Sequence, residues 1–401
     1  MDFTTLDPLA AKNRRVLLRL DLNVPLNSEG QITDFNRIDR AIPSIEALQR
    51  AGARLIILSH LGRPKGREVP QFSLAPVAEA LRDRLGLPLD FLRDRVGPAA
   101  QAAVTALAPG QIVLLENLRF DAGEEANDPD YTRALASLGE IFVHDAFATA
   151  HRAHASTEGL AHHLPAYAGL LMQAELTALH QAMDGAARPL CAIVGGAKVS
   201  SKFDLLANLI TKVDRLVIGG GMANTFLAAR GVNVEASLYE PELVPRALEL
   251  MQRAETLGCA LFLPLDLVAA ETFDARAAHQ VVGLEEIPPG YMVLDFGPRS
   301  IAALKRDLAD CRTVIWNGPL GAFELPPFAT ATFTLLESLA ARSRAGGVTS
   351  VLGGGDTVAA LNQTGLADDM SYVSTAGGAF LEWMEGKALP GLVALAQNRP
   401  A

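Results

Sequence analysis

The chain has 401 residues, of which 49% are hydrophobic and 20% are charged, and its formal net charge is −10. A chain of this length is expected to form about two or three domains, and its apolar content excludes a largely disordered polymer. The negative charge disfavours binding to nucleic acids, and no apolar run approaches the ~20 residues of a membrane span.

The first half of the chain alternates apolar strands with amphipathic helical patterns. Strands are predicted at Val16–Leu22, Arg54–Ser59, Pro88–Leu92, Gln111–Asn117 and Ile141–His144. Helices are predicted between them, for example at Arg40–Ala51 and Ala75–Leu85. Near-continuous runs of Val, Ile and Leu are typical of parallel strands that are covered on both faces.

The second half repeats this alternation. Strands are predicted at Pro189–Val194, Arg215–Gly219, Ala260–Pro264, Thr313–Trp316, Val348–Gly353 and Tyr372–Ser374, with helices such as Pro241–Leu257 and Pro327–Arg342. The two series predict an α/β fold with two doubly wound parallel-sheet, Rossmann-like domains joined by a helical hinge. The join is expected at 168–185, a helical stretch that ends at Asp184-Gly185.

The cysteines and the first residues bear on where the protein works. Cys191, Cys259 and Cys311 are far apart and odd in number, and they match neither a zinc spacing nor a redox pair. The first residues lack the basic and apolar regions of a signal peptide. We therefore expect inert thiols in a reducing cytoplasm.

Basic residues follow the strand ends in the first half. Arg63, Arg119 and Arg152 each follow a predicted strand, Arg37 is expected in the loop after the first strand, and His60 precedes Arg63. Ligands of open α/β sheets bind beyond the carboxyl ends of the strands, and the planar arginine fork binds carboxylate or phosphate. The alternatives are solvated or ion-paired arginines and a histidine packed at the domain edge.

Glycines follow the strand ends in the second half. The clusters are Gly195-Gly196, Gly219–Gly221, Gly353–Gly355 and Gly377-Gly378, with Lys198 and Lys202 beside the first. Glycine lets the backbone approach phosphate closely, although tight turns need glycine as well. Together they predict a nucleotide polyphosphate site. Neither the P-loop nor the complete G-x-G-x-x-G fingerprint is present, which weakens an NAD-dependent oxidoreductase as the alternative function.

Two carboxylates have competing interpretations. Asp356 follows a triple glycine, where it could cap a helix or bind Mg²⁺ together with substrate phosphates. The metal role is favoured because of the adjacent glycines. Glu324 could accept a hydrogen bond from a ribose hydroxyl, or it could be a solvated loop carboxylate.

The motifs in order resemble those of the phosphoglycerate kinase family. The matching segments are Arg19–Pro25, Ser59–Pro64, Glu116–Phe120, Asp145–Ser156, Gly195–Lys202, Gly219–Phe226, Trp316–Glu324, Gly353–Thr357 and Ser374–Pro390. They span nearly the whole chain, and Ser59–Pro64 is among the most specific. Departures fall at flanking positions, namely Leu20, Leu22, His144, Ala148 and Ala376.

The resemblance implies which residues bind which ligand. A first domain, 1–167 with a C-terminal return at 387–401, would bind 3-phosphoglycerate through Asp21, Asn23, Arg37, His60, Arg63, Arg119 and Arg152. A second domain, 186–386, would bind Mg·ADP or Mg·ATP through Lys198, Lys202, Gly220, Asn317, Glu324, Gly354, Gly355, Asp356 and Thr357. It also implies a cytoplasmic monomer of glycolysis.

The chemistry of the implied reaction agrees with these residues. A carboxylate or a phosphate oxygen is already ionised at neutral pH, so no general base is needed. Catalysis then consists of alignment and charge neutralisation, for which Arg37 and Lys198 are the expected stabilisers of the transferring group. Lys202 and Mg²⁺, bound by Asp356, would balance the nucleotide phosphates. Hinge closure is expected, and a non-catalytic phosphate-ligand-binding protein of the same fold remains the other alternative.

Overall fold

The computed structural model describes residues 3–7 and 9–398, and the chain divides into two compact units. One unit runs up to Leu176 and takes in the segment from Ala388, and the other is Thr177–Lys387. The first boundary lies inside a helix, Leu170–Ala182, which is shorter than the predicted stretch 168–185. Ala168 is instead the last residue of a strand, Ala166–Ala168.

The first unit is built on a parallel sheet of six strands among the described residues. They are β1 Arg15–Leu20, β2 Arg54–Leu58, β3 Asp90–Leu92, β4 Ile112–Leu115, β5 Ile141–Asp145 and β6 Ala166–Ala168. Their spatial order is β3-β4-β2-β1-β5-β6, with Leu17 of β1 between Ile56 and Phe142. The central strands are buried on both faces, which explains their continuous apolar sequence.

Helices cover this sheet. They are α1 Asn36–Arg50, α2 Ala75–Leu85, α3 Pro98–Ala106, α4 Ala122–Glu125, α5 Pro129–Ala136 and α6 Leu170–Ala182. Helix α1 begins four residues earlier than its predicted start at Arg40, so the expectation that Arg37 lies in a loop is wrong. The earlier start adds one turn, which places Ile38 on the same buried face as Ile45 and Leu48.

The second unit has a second parallel sheet and a smaller antiparallel one. Its strands are β7 Leu190–Val194, β8 Arg215–Ile218, β9 Ala260–Phe262, β10 Asp266–Ala270, β11 His279–Gly283, β12 Met292–Phe296, β13 Thr313–Asn317, β14 Thr349–Leu352 and β15 Tyr372–Val373. The parallel order is β15-β14-β13-β7-β8-β9, and the antiparallel order is β11-β10-β12. Fold class and parallel sheets are therefore as predicted, whereas the antiparallel sheet was missed. Its strand β11 is largely exposed and lacks a regular apolar alternation.

The remaining helices lie around the second sheet, except for the last. They are α7 Phe203–Leu209, α8 Gly221–Ala229, α9 Val244–Thr256, α10 Pro298–Leu308, α11 Thr330–Arg344, α12 Gly355–Thr364, α13 Gly378–Met384 and α14 Pro390–Gln397. Helix α14 belongs to the first unit, where the Gly391 N–H donates to the Ala150 carbonyl at 2.9 Å. Among the described residues, no helix combines the length and apolar character that a bilayer span requires.

Candidate functional site

The loops after β1 and β2 are tied together by short polar side chains. Ser59 Oγ donates to the Leu20 carbonyl at 2.9 Å and accepts from the Leu22 N–H at 3.0 Å. Asn23 Oδ1 accepts from the Gly62 N–H at 2.8 Å. These bonds fix the two strand ends side by side, as the carboxyl ends of neighbouring parallel strands require.

His60 is surrounded by arginines. It is 4% exposed, and its Nδ1 lies 3.0 Å from Arg19 Nη2. Burial, and then the charges of Arg19, Arg119, Arg37 and Arg152, hold the pKa of His60 well below its ordinary value. The imidazole is therefore neutral at neutral pH, and the structure brings three of the four predicted arginines close enough to act on it.

Arg37 and Arg119 are both held by carboxylates. Arg37 forms an ion pair with Asp21, and burial lowers its pKa. Arg119 donates from Nη1 to the Gly62 carbonyl at 2.9 Å, and its Nε lies 3.2 Å from Glu125 Oε1 without a well-directed hydrogen bond. Burial lowers the pKa of Arg119 to about 10, against the opposing charge of Glu125, so the guanidinium stays charged at neutral pH.

The other two predicted arginines differ from each other. Arg152 Nε lies 3.2 Å from Nε2 of its neighbour His151. Arg63 is exposed and makes neither a hydrogen bond nor an ion pair with the described residues, so the structure does not join it to the group around His60. Sequence reasoning assigned no role to Arg19, which is fully buried. The available signal was an arginine inside an apolar strand.

In the second unit, the glycine loops after β7 and β13 touch backbone to backbone. A Cβ at Gly195 would lie 1.8 Å from the Pro319 carbonyl oxygen. A Cβ at Gly318 would lie 2.1 Å from the Gly195 carbonyl oxygen, and its φ of +99° favours glycine. Gly220, with φ +65°, precedes helix α8. These glycines are therefore required by close approach of the protein to itself, in addition to any ligand.

Lys202 is held at the junction of these loops. Its Nζ donates to the Gly195 carbonyl at 2.7 Å and to Asn317 Oδ1 at 2.6 Å. Burial lowers the pKa of Lys202 to about 8, and the negative charge of Asp356 partly opposes that shift. Lys198 is exposed in the segment before α7 and forms no ion pair with the residues described.

The start of α12 positions four of the predicted residues. Gly354 occupies the N-cap with φ +95°, Gly355 begins the helix, and Thr357 Oγ1 accepts from the Gly318 N–H at 2.6 Å. Asp356 is exposed in the first turn, and no side chain caps this helix. The alternative that Asp356 is only an N-cap is therefore wrong. Its carboxylate faces solvent at a helix N-terminus, where the N–H groups favour anions.

A cavity of about 480 Å³ lies beside these loops. Three carboxylates line it, namely those of Asp295, Glu324 and Asp356. Most of the other lining residues, such as Leu238 and Phe273, are apolar. Strands β10 and β12 supply much of the apolar wall, including Leu267, Met292, Val293, Leu294 and Phe296. An apolar cavity bordered by glycine turns suits a flat base and its phosphates. The sequence pattern predicted the glycine loops that border this cavity, but it missed the antiparallel sheet and therefore the apolar wall.

Known proteins share the sequence of this chain over nearly its whole length. The family model of phosphoglycerate kinase matches residues 6–387. The chain is 56% identical to the phosphoglycerate kinase of Azorhizobium caulinodans over 393 residues, 98% of this chain and 99% of that protein. It is also 56% identical to that of Allorhizobium ampelinum over 400 residues, 100% of this chain and 99% of the relative.

Solved structures are similar as well. Phosphoglycerate kinase from Coxiella burnetii superposes with a TM-score of 0.92 at 42% identity, covering 100% of both chains. The enzyme from Pyrococcus horikoshii gives 0.83 at 28% identity, covering 98% of this chain and 99% of the other. A match of this extent in sequence and fold shows the family. The chain belongs to the phosphoglycerate kinase family.

Proposed function

We propose that this protein is a phosphotransferase that moves a phosphoryl group reversibly between 1,3-bisphosphoglycerate and ADP, forming 3-phosphoglycerate and ATP. The observation that carries the proposal is the arrangement of the strand ends in a chain of this family: arginines surround His60 in one unit, and glycine loops surround Lys202 in the other. The acid would contact Asp21, Asn23, Arg37, His60, Arg63, Arg119 and Arg152. The nucleotide would contact Lys198, Lys202, Gly220, Asn317, Glu324, Gly354, Gly355, Asp356 and Thr357.

The residues present suit in-line transfer between two anions. The attacking carboxylate or phosphate oxygen is already ionised, so the protein has only to align the reactants and offset their charge. Arg37 from the first unit and Lys198 from the second are the proposed stabilisers of the transferring group. His60 is neutral and buried, so it suits hydrogen bonding to the acid rather than proton abstraction.

The family uses ATP or ADP, usually with Mg²⁺, and the residues of the second unit fit a nucleotide-bound ion. No group of three or more His, Cys, Asp or Glu among the described residues could hold a metal by itself. Mg²⁺ is commonly bound by one or two carboxylates together with substrate phosphates. Asp356, exposed beside the cavity, would supply that carboxylate, and the ion would offset phosphate charge.

Transfer requires the two ligands to meet, so we propose that the units close about the 168–185 region. Closure would exclude water and align the reactants. Small-angle scattering should show a smaller radius of gyration with both ligands than with either one, and an unchanged radius would contradict closure.

Because one chain supplies both sites, we propose a monomer. The free thiols of all three cysteines are consistent with a cytoplasmic location.

The function is tested by incubating the protein with ATP, Mg²⁺ and 3-phosphoglycerate and trapping the acyl phosphate with hydroxylamine. Lys198→Ala should lower turnover on the order of 10²–10³, the usual cost of removing one charge-stabilising group. Lys305→Ala, at an exposed position of α10, is the matched control and should leave turnover unchanged. Absence of acyl phosphate with both ligands bound would contradict the function and favour a binding protein. An absorbance change that depends on a nicotinamide cofactor would instead favour the oxidoreductase alternative. The family match does not favour that alternative.

A further inference from the structure

Arg19 is a charged side chain buried inside the first unit. It is 0% exposed at the carboxyl end of β1. Its Nε donates to Ser156 Oγ at 2.8 Å, its Nη2 contacts His60 Nδ1 at 3.0 Å, and its Nη1 donates to the Leu20 carbonyl. Burial of a guanidinium is costly unless its N–H groups are satisfied, so these three contacts hold it in one orientation.

A buried carboxylate supports this orientation from behind. Glu124 is 0% exposed, and its Oε1 accepts from Ser156 Oγ at 2.6 Å. Its Oε2 accepts from the Ser156 N–H at 3.1 Å. The serine hydroxyl therefore donates to Glu124, which leaves its lone pairs to accept from Arg19. The result is a directed hydrogen-bond chain that ends at His60.

The direction of the last bond determines the proton position on His60. A guanidinium can only donate, so Nδ1 of His60 must be the acceptor and carry no proton. In a neutral imidazole the proton then lies on Nε2. For Nε2 the described residues supply no hydrogen-bond partner. This N–H is available to a ligand among Arg37, Arg119 and Arg152.

We propose that Arg19, supported by Ser156 and Glu124, is a positioning residue that holds His60 as the Nε2–H tautomer, so that this N–H donates to an oxygen of the anionic acid. The proposal rests on the proposed function for the identity of that acid. It assigns Arg19 to the orientation of another side chain rather than to contact with substrate. Protonation of His60 is opposed from several sides, because Arg19, Arg37, Arg119 and Arg152 all face it.

The tautomer can be measured directly in the unaltered protein. With ¹⁵N-labelled histidine, the His60 signals are assigned by their loss in His60→Gln. We expect Nδ1 to have the shift of an unprotonated ring nitrogen and Nε2 that of an N–H, without titration between about pH 6 and 8. A proton on Nδ1, or an imidazolium in this range, would overturn the proposal, and this outcome does not depend on the folding of any Arg19 variant.

The kinetic test uses Arg19→Met, which keeps the length of the side chain and removes its donors. We expect a mixture of His60 tautomers and a KM for 3-phosphoglycerate raised about tenfold, with the KM for ATP unchanged. Arg19→Lys, which keeps a charge and a donor, should restore part of the affinity.

Arg15→Met is the matched control, since Arg15 begins the same strand and pairs with Glu140 at 3.6 Å. It should change neither the tautomer nor the KM values. An Arg19→Met protein that retains the Nε2–H tautomer and its KM would overturn the proposal. If the unaltered protein lacks kinase activity, the proposed function fails, whereas the tautomer measurement still decides the role of Arg19.

Discussion

Raising the pH from 7 to 9 should weaken Mg·ADP binding about tenfold through the loss of one charge, that of Lys202. Burial lowers the pKa of this ammonium to about 8, while three acceptor contacts to Gly195 and Asn317 keep it in place. The protonated form predominates below this pKa and disappears above it. About nine-tenths of the side chains are charged at pH 7 and about one-tenth at pH 9, which corresponds to ~1.4 kcal/mol of binding free energy.

Isothermal titration calorimetry at pH 7, 8 and 9 measures this directly. The secondary phosphate ionisation of ADP lies near 6, so the ligand contributes little to the slope between these values. Lys202→Met should bind Mg·ADP at least about tenfold more weakly at pH 7 and show no dependence on pH. The reasoning would be refuted by affinity that is flat from pH 7 to 9 in the unaltered protein, or by an equal slope in Lys202→Met.

Further predictions concern stability. Gly195→Ala should lower the free energy of unfolding by about 1–3 kcal/mol, because its Cβ would overlap the Pro319 carbonyl, whereas Gly355→Ala meets no atom within 4 Å and should be nearly neutral. Equal urea midpoints for these two variants would contradict this. Burial raises the pKa of Asp295 from 3.8 to about 7, so ionisation of this carboxyl increasingly destabilises the folded state as pH rises through that window. The difference in the free energy of unfolding between Asp295→Asn and the unaltered protein should therefore shift by ~2–3 kcal/mol in favour of the variant when the pH is raised from 5 to 7. Urea unfolding at the two pH values measures this difference, and the same difference at both would contradict the prediction.

Much of the fold could be predicted from local pattern. Buried parallel strands such as Leu55–Leu58 are continuous apolar runs, and their alternation with helices predicts two doubly wound sheets. The same rule directs attention to the strand ends, where His60, Arg119 and Lys202 were found. Glycine turns directed attention to loops that border the cavity of the second unit. These features can be predicted from the sequence because each depends on residues that are near one another in the chain.

The features that only the tertiary structure decided depend on contacts between residues that are far apart in the chain. Arg19 contacts His60 directly and is held by Ser156, which lies 137 positions further along the chain, and no local pattern indicates either contact. The apolar wall of the cavity comes from an antiparallel sheet whose exposed strand lacks a regular alternation. Sequence determined which side chains could bind anions and at which edge of each sheet. Burial and long-range hydrogen bonds decided which of them are oriented, charged or neutral, because desolvation and pairing exist only once the chain has folded.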